Sequence, residues 1–247
     1  MFWSLTPSHD GLQWVLDGVR PGKLRPHSEG GRTMPKRVLF TGFQPFDGDA
    51  VNPALEAVHL LNGRHWDDVE FIGMEVPTVF GKAIDAVCEG IAKVHPDVVI
   101  CVGQAGGRAQ ITPERVAINV DDARIPDNEG NQPVDQPVVP NGPAAYWSTL
   151  PIKAMTEEMK GAGIPAAVSN TAGTFVCNHI FYGLMHELSN HHPKIRGGFI
   201  HIPFLPEQVT ERFAPSMSLE VVVRGLELCG LVSARSTDIH TTGGTES

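Results

Sequence analysis

The sequence predicts an α/β protein, a single-domain three-layer α/β/α sandwich around a mostly parallel twisted sheet. Three observations carry that reading. Apolar runs of strand length alternate with amphipathic segments of helix length, the pattern of repeated strand–helix–strand units. Two of the runs, VLF within Lys36–Gly42 and VVICV within Asp97–Gly103, are continuous rather than alternating, as in strands covered by helices on both faces. The chain has 247 residues, 41% hydrophobic and 19% charged, which is enough for one substantial core.

The elements follow in chain order. Residues 1–33 carry Gly, Pro, Ser and charge without sustained periodicity and are expected to form a disordered extension before Met34, with a short docking helix at LQWVLDGV as the alternative. Lys36–Gly42 is a buried strand that ends at a glycine turn. Asn52-Pro53 opens a helix over ALEAVHLLNG, because proline at the first helical position lacks only an N–H that would have no helical partner. A strand spans Val69–Val76, and a helix runs from about Gly81 to Val94, where His95-Pro96 stops it. Asp97–Gly103 is the central parallel strand. After it come a strand at Arg115–Val120, a long Pro/Asn/Asp-rich loop from Asp121 to about Pro143, and a helix reaching Lys160. A strand at Ala166–Ser169, a helix through Leu188, a strand at Gly198–Ile202 and a helix at Ser216–Leu231 complete the domain, placed at residues 34–235. The small polar stretch 236–247 is expected to be a flexible tail.

Composition excludes several classes of function. A net charge of -9 argues against nucleic acid and anionic membrane surfaces as partners. No apolar run reaches the length of a membrane span, and the first residues lack the basic start, apolar segment and small-residue cleavage site of a secretory signal, so a cytoplasmic location is expected. Cys88, Cys101, Cys177 and Cys229 are dispersed without a CxxC pair, which indicates free thiols rather than disulfides or a cysteine zinc site. HELSNHH lacks the HExxH spacing, GQAGGR fits neither GxGxxG nor the P-loop, and VDDARIPDNEGNQP lacks the EF-hand order. None of these stretches is therefore read as a zinc, calcium or phosphate-binding motif. The glycines of GQAGGR are read as letting backbone approach a ligand or a neighbouring strand, and the long loop as a flap over a site.

In a parallel α/β sheet the ligand crevice lies outside the carboxyl ends of the strands, and three side chains meet that test. Cys177, in GTFVCNHIFY, falls in the first turn of a helix, where unpaired N–H groups and the helix dipole are expected to favour a thiolate. His201, in GGFIHIPFLP, ends a strand and offers a base whose ordinary pKa lies near neutrality. Glu114, after GQAGGRAQITP, would orient an imidazole if buried beside it. Each also has a structural reading: a small buried hydrophobe, a core histidine and a solvated carboxylate. His179 is close to Cys177 in sequence, but helix residues two apart do not face each other, so it is not the expected base.

The combination resembles the pyroglutamyl-peptidase I (pyrrolidone-carboxylate peptidase) family of cysteine peptidases, from about Met34 to Leu231. VLFTGFQPFDGDAVNP is similar to the family's opening strand and substrate loop, GQAGGRAQITPERVAINVDDARIPDN to its glutamate signature, and SNTAGTFVCNHIFY to its cysteine signature. The resemblance implies catalytic Glu114, Cys177 and His201, a lactam pocket lined by Phe43, Phe46, Asn52 and Gln104, and Arg124 as support near the nucleophile. It further implies removal of an N-terminal pyroglutamyl (5-oxoproline) residue from peptides through a thioester acyl-enzyme, without metal or cofactor, in a homotetramer. Two alternatives stay open: a related α/β hydrolase or phosphorylase acting on another small cyclic ligand, and a catalytically silent binding protein.

Overall fold

The computed structural model describes residues 34–243. Its elements are β1 (Lys36–Phe43), α1 (Pro53–Leu61), β2 (Val69–Val76), α2 (Lys82–Val94), β3 (Val98–Gln104), β4 (Thr112–Pro113), β5 (Val116–Ile118), β6 (Ala145–Trp147), α3 (Ile152–Gly161), α4 (Val176–His191), β7 (Arg196–Ile202) and α5 (Leu219–Arg235). The central sheet has the order β2-β1-β3-β7-β4; the first four strands are parallel and β4 runs antiparallel to β7. The extension 1–33, with its expected disorder or docking helix, lies outside the described residues.

Alternation along the strands divides the core in two, because successive side chains leave opposite faces of a sheet. Val38, Phe40, Ile100, Val102, Ile200 and Ile202 pack with residues of α1, α3 and α5. Leu39, Val99, Cys101 and Phe199 pack on the other face with Ala83, Val87 and Ile91 of α2 and Val176, Ile180, Phe181 and Leu184 of α4. This is the expected three-layer arrangement. The helix start at Asn52-Pro53 is as read from the sequence: Asn52 Oδ1 accepts from Ala54 N at 3.0 Å, and proline occupies the first turn of α1.

Three elements differ from the expectation. The segment expected as a strand at Arg115–Val120 leaves the central sheet and shortens to β5, which pairs antiparallel with β6 in a separate two-stranded sheet. Its other edge is served by a side chain, since Asn178 of α4 accepts from Ile118 N and donates to the carbonyls of Ile118 and Val120. Part of the segment expected to lead into the helix ending near Lys160 is β6, and α3 begins only at Ile152, after Pro151. Ala166–Ser169 forms single bridges, Ile111 with Ala166 and Glu114 with Ser169, rather than a regular strand; Pro113 and Pro165 each remove a ladder donor there. Beyond α5, Asp238 Oδ1 accepts from Lys153 N and Ala154 N at 3.0 Å and so caps the start of α3.

Candidate active site

At the carboxyl end of the sheet, Gly103 of β3 and His201 of β7 are register partners and face the same side, toward α4. Cys177 is the second residue of α4. A Cβ built on Gly103 would lie 2.9 Å from Cys177 Sγ and 2.7 Å from the Phe199 ring. The missing side chain is the space the sulfur uses, so the thiol lies over Gly103, whose register partner on the adjacent strand is His201. A second close approach occurs at Gly106, where a Cβ would lie 2.3 Å from the Phe204 ring. Gly103 and Gly106 thus make room for neighbouring side chains, whereas the sequence reading expected an approach of backbone to a ligand or a strand.

Glu114 is fully buried, and His201 nearly so. His201 Nδ1 donates to Glu114 Oε1 at 2.7 Å, which leaves Nε2 as the basic nitrogen. Burial alone would raise the Glu114 carboxyl, but the hydrogen bond from His201, with Ser169 and the Arg108 guanidinium, holds it below the ordinary carboxylate range. Burial lowers His201, and although Glu114 pulls the other way the imidazole ends below its ordinary value.

The thiol departs from the sequence expectation. Cys177 is partly exposed as a residue, yet burial of its sulfur, followed by the Glu114 charge, pushes the thiol up to about 12, with Arg108 opposing. Desolvation of the anion therefore outweighs the helix terminus. Burial thus favours the neutral thiol and the neutral imidazole over a preformed thiolate–imidazolium pair.

Next to the sulfur a narrow, partly open pocket is lined by Phe43, Phe46, Asn52, Thr78, Gln104, Phe175, Val176 and Cys177. The sequence reading named Phe43, Phe46, Asn52 and Gln104, and all four are brought together here. Phe175 and Thr78 were missed, although Phe175 stands two residues before the cysteine. Asn52 spends one hydrogen on Gln44 O and one lone pair on Ala54 N, so each half of its amide keeps capacity for a ligand. Gln208 Nε2 donates to Gln104 Oε1 at 2.9 Å and to Asp49 Oδ2 at 3.2 Å, bracing the loop after β1 against β3. Arg124 lies exposed on the long loop; the guanidinium touching the buried carboxylate belongs to Arg108, at 2.6 Å from Glu114 Oε1. The loop itself is clipped over the pocket wall: Asn128 donates to Thr78 O and Pro45 O, and Asp127 accepts from Phe80 N. Among the described residues no helix is long and apolar enough to cross a membrane.

A thiol, an imidazole and a buried carboxylate thus lie at the edge of a small, mostly apolar pocket. Known proteins are close to this chain in sequence and fold. The chain is 58% identical over 213 residues to a pyrrolidone-carboxylate peptidase of Bacillus velezensis, covering 86% of this chain and 99% of that one. It is 56% identical to the Bacillus subtilis pyrrolidone-carboxylate peptidase over the same number of residues, 213. The crystal structure of pyroglutamyl peptidase I from Bacillus amyloliquefaciens superposes with a TM-score of 0.84 at 58% identity, covering 85% of this chain and 100% of that one. The family model for pyroglutamyl peptidase matches residues 36–236, and with this fold and these relatives the chain belongs to the pyroglutamyl peptidase family.

Proposed function

We propose that the chain removes an N-terminal pyroglutamyl residue from peptides by acyl transfer through Cys177. The observation that carries this reading is the pocket itself: aromatic walls, uncharged amides and a sulfur at its edge. A pyroglutamyl ring is flat and uncharged, with one lactam N–H and one C=O. Phenyl walls suit its faces, and Asn52, Thr78 and Gln104 offer donors and acceptors to its edge. An ordinary N-terminal ammonium would lose hydration there without a counter-charge, so unblocked peptides are excluded.

The chemistry follows from the two neutral partners. As Cys177 sulfur attacks the pyroglutamyl carbonyl carbon, its proton passes to His201 Nε2 and the C–O π pair moves to oxygen. Glu114, accepting from Nδ1, stabilises the imidazolium that forms. Phe175, the residue preceding α4, provides no side-chain cap, so backbone N–H groups of the first turn remain to receive the oxyanion, each worth about 2.7–4 kcal/mol in sites of this kind. The imidazolium protonates the leaving amine, the C–N bond breaks and a thioester remains. Water then gives a proton to His201 and attacks the thioester; the C–S bond breaks, the sulfur regains the proton and pyroglutamate leaves. Arg124 as support and a homotetramer go with this reading as the family resemblance implies them, and a cytoplasmic location goes with it as the composition of the chain suggests.

A chromogenic pyroglutamyl amide tests it. Turnover is expected from the intact chain, none from Cys177→Ala, and at least about 10²-fold less kcat/KM on the matching prolyl amide, whose ring nitrogen is charged. Substantial turnover by Cys177→Ala would overturn the assignment of the nucleophile.

A further inference from the structure

We infer that Arg108 is a positioning residue of this site, an inference that rests on the hydrolytic reading above: it holds Glu114 through the same oxygen that His201 uses, ties that carboxylate to the turn before Cys177, and keeps the imidazole in its basic form. Arg108 Nη1 donates to Glu114 Oε1 and to Thr112 Oγ1, each at 2.6 Å, and Nη2 donates to the Thr171 carbonyl at 2.9 Å. His201 Nδ1 donates to the same Glu114 Oε1 at 2.7 Å. One guanidinium therefore spans β4, the residue after it and the Thr171–Thr174 turn that delivers the chain to Cys177. A planar fork can satisfy acceptors in three directions at once, which a lysine ammonium on a flexible stem does less rigidly.

Charge gives Arg108 a second effect. The ionisable groups facing His201 are Glu114 and Arg108 from the segments flanking β4, Cys177 from α4 and Cys101 from the same face of β3. Only Arg108 carries a fixed positive charge among them. A buried carboxylate with an imidazole as its sole partner stabilises the imidazolium strongly, and a second cation on the same oxygen offsets that pull. Arg108 accordingly stands among the influences that lower His201, alongside burial. Loss of the arginine charge lets His201 take up its proton at higher pH, and a protonated imidazole cannot accept the thiol proton.

The experiment is the pH dependence of kcat/KM for the full chain on a chromogenic pyroglutamyl amide, from about pH 5 to about pH 9 to span the imidazole range. For Arg108→Gln the acid limb is expected to move up by about one pH unit, so the loss near pH 6 exceeds that near pH 8 by up to about tenfold, while KM changes little because Arg108 does not line the pocket. Arg108→Lys keeps the charge and loses the fork: kcat is expected to fall several-fold with the acid limb in place. An equal loss at every pH in Arg108→Gln, or an acid limb displaced in Arg108→Lys as far as one unit, would overturn the inference. Should the glutamine variant not fold, the lysine profile decides. A wild-type chain without turnover would instead overturn the hydrolytic reading, and an active wild type with unaltered Arg108 profiles would overturn this inference alone.

Discussion

Two buried imidazole–carboxylate pairs flank the start of α4, and their chemistry differs less than their surroundings. His201 Nδ1 meets Glu114 Oε1 at 2.7 Å, and His179 Nδ1 meets Asp121 Oδ2 at 2.7 Å. In both pairs the second carboxylate oxygen is buried without a protein partner. What separates them is the other ring nitrogen. His179 Nε2 accepts from Gly81 N at 2.8 Å, so both its nitrogens are committed, and the pair fastens α4 to the long loop and to the start of α2. Among the described residues no hydrogen bond takes His201 Nε2, and His201 is the register partner of Gly103, over which the sulfur lies. A histidine close in sequence to the cysteine has become a fastening, and a distant one keeps a ring nitrogen without a hydrogen bond among the described residues. Proximity along the chain says little about proton transfer; an unoccupied nitrogen in reach says much more.

Replacing each histidine by glutamine should separate the two pairs most widely. His201→Gln is expected to lose at least about 10³-fold in kcat/KM on the chromogenic amide, and His179→Gln less than about tenfold, measured under conditions where both are folded. Equal losses would mean that His179 takes part in the chemistry. Gly103→Ala probes the same contrast from the sheet side. Its new methyl group would displace Cys177 sulfur from His201 without touching His179, and a loss of about 10²-fold, mainly in kcat, is expected. Wild-type kinetics would refute this if the alanine variant retained them.

Stability should rank the two pairs in reverse order. His179→Ala leaves Asp121 and Gly81 N–H without their partner and is expected to cost about 3 kcal/mol in urea unfolding. His201→Ala leaves Glu114 still paired with Arg108, so about 1 kcal/mol is expected. The smallest effect is on the acid limb of the wild-type pH profile. Burial lowers His201, so its basic form persists to lower pH than in a free imidazole; kcat/KM should rise with pH to half its plateau below about 6.5. A midpoint above that value would show that the Glu114 interaction outweighs burial.

The parallel strands were legible because continuous apolar runs such as VVICV mark burial on both faces, and the rule for strand ends then drew attention to Cys177 and His201. The helix start at Asn52 was legible from local chemistry alone. What escaped the sequence has physical reasons. β5 and β6 span three residues each, too short to show a period, and Asn178 substitutes for a strand on one edge of the pair. Arg108 sits six residues before Glu114 in a turn that was read for its glycines, and only the folded chain shows its side chain meeting the carboxylate. The protonation of Cys177 depends on how deeply its sulfur is buried. The helix terminus visible in the sequence predicts one sign, and the desolvation that only tertiary packing reveals produces the other.

If Cys177 receives the acyl group with His201, not His179, as its base, a pre-steady-state measurement with an activated pyroglutamyl ester should show both facts at once. Ester acylation is fast enough for the thioester to accumulate. The expected result is a burst of one leaving group per active chain, with the pyroglutamyl mass on the peptide that contains Cys177. The burst should persist in His179→Gln and be lost in His201→Gln. An adduct on another residue, or a full burst in His201→Gln, would contradict this assignment.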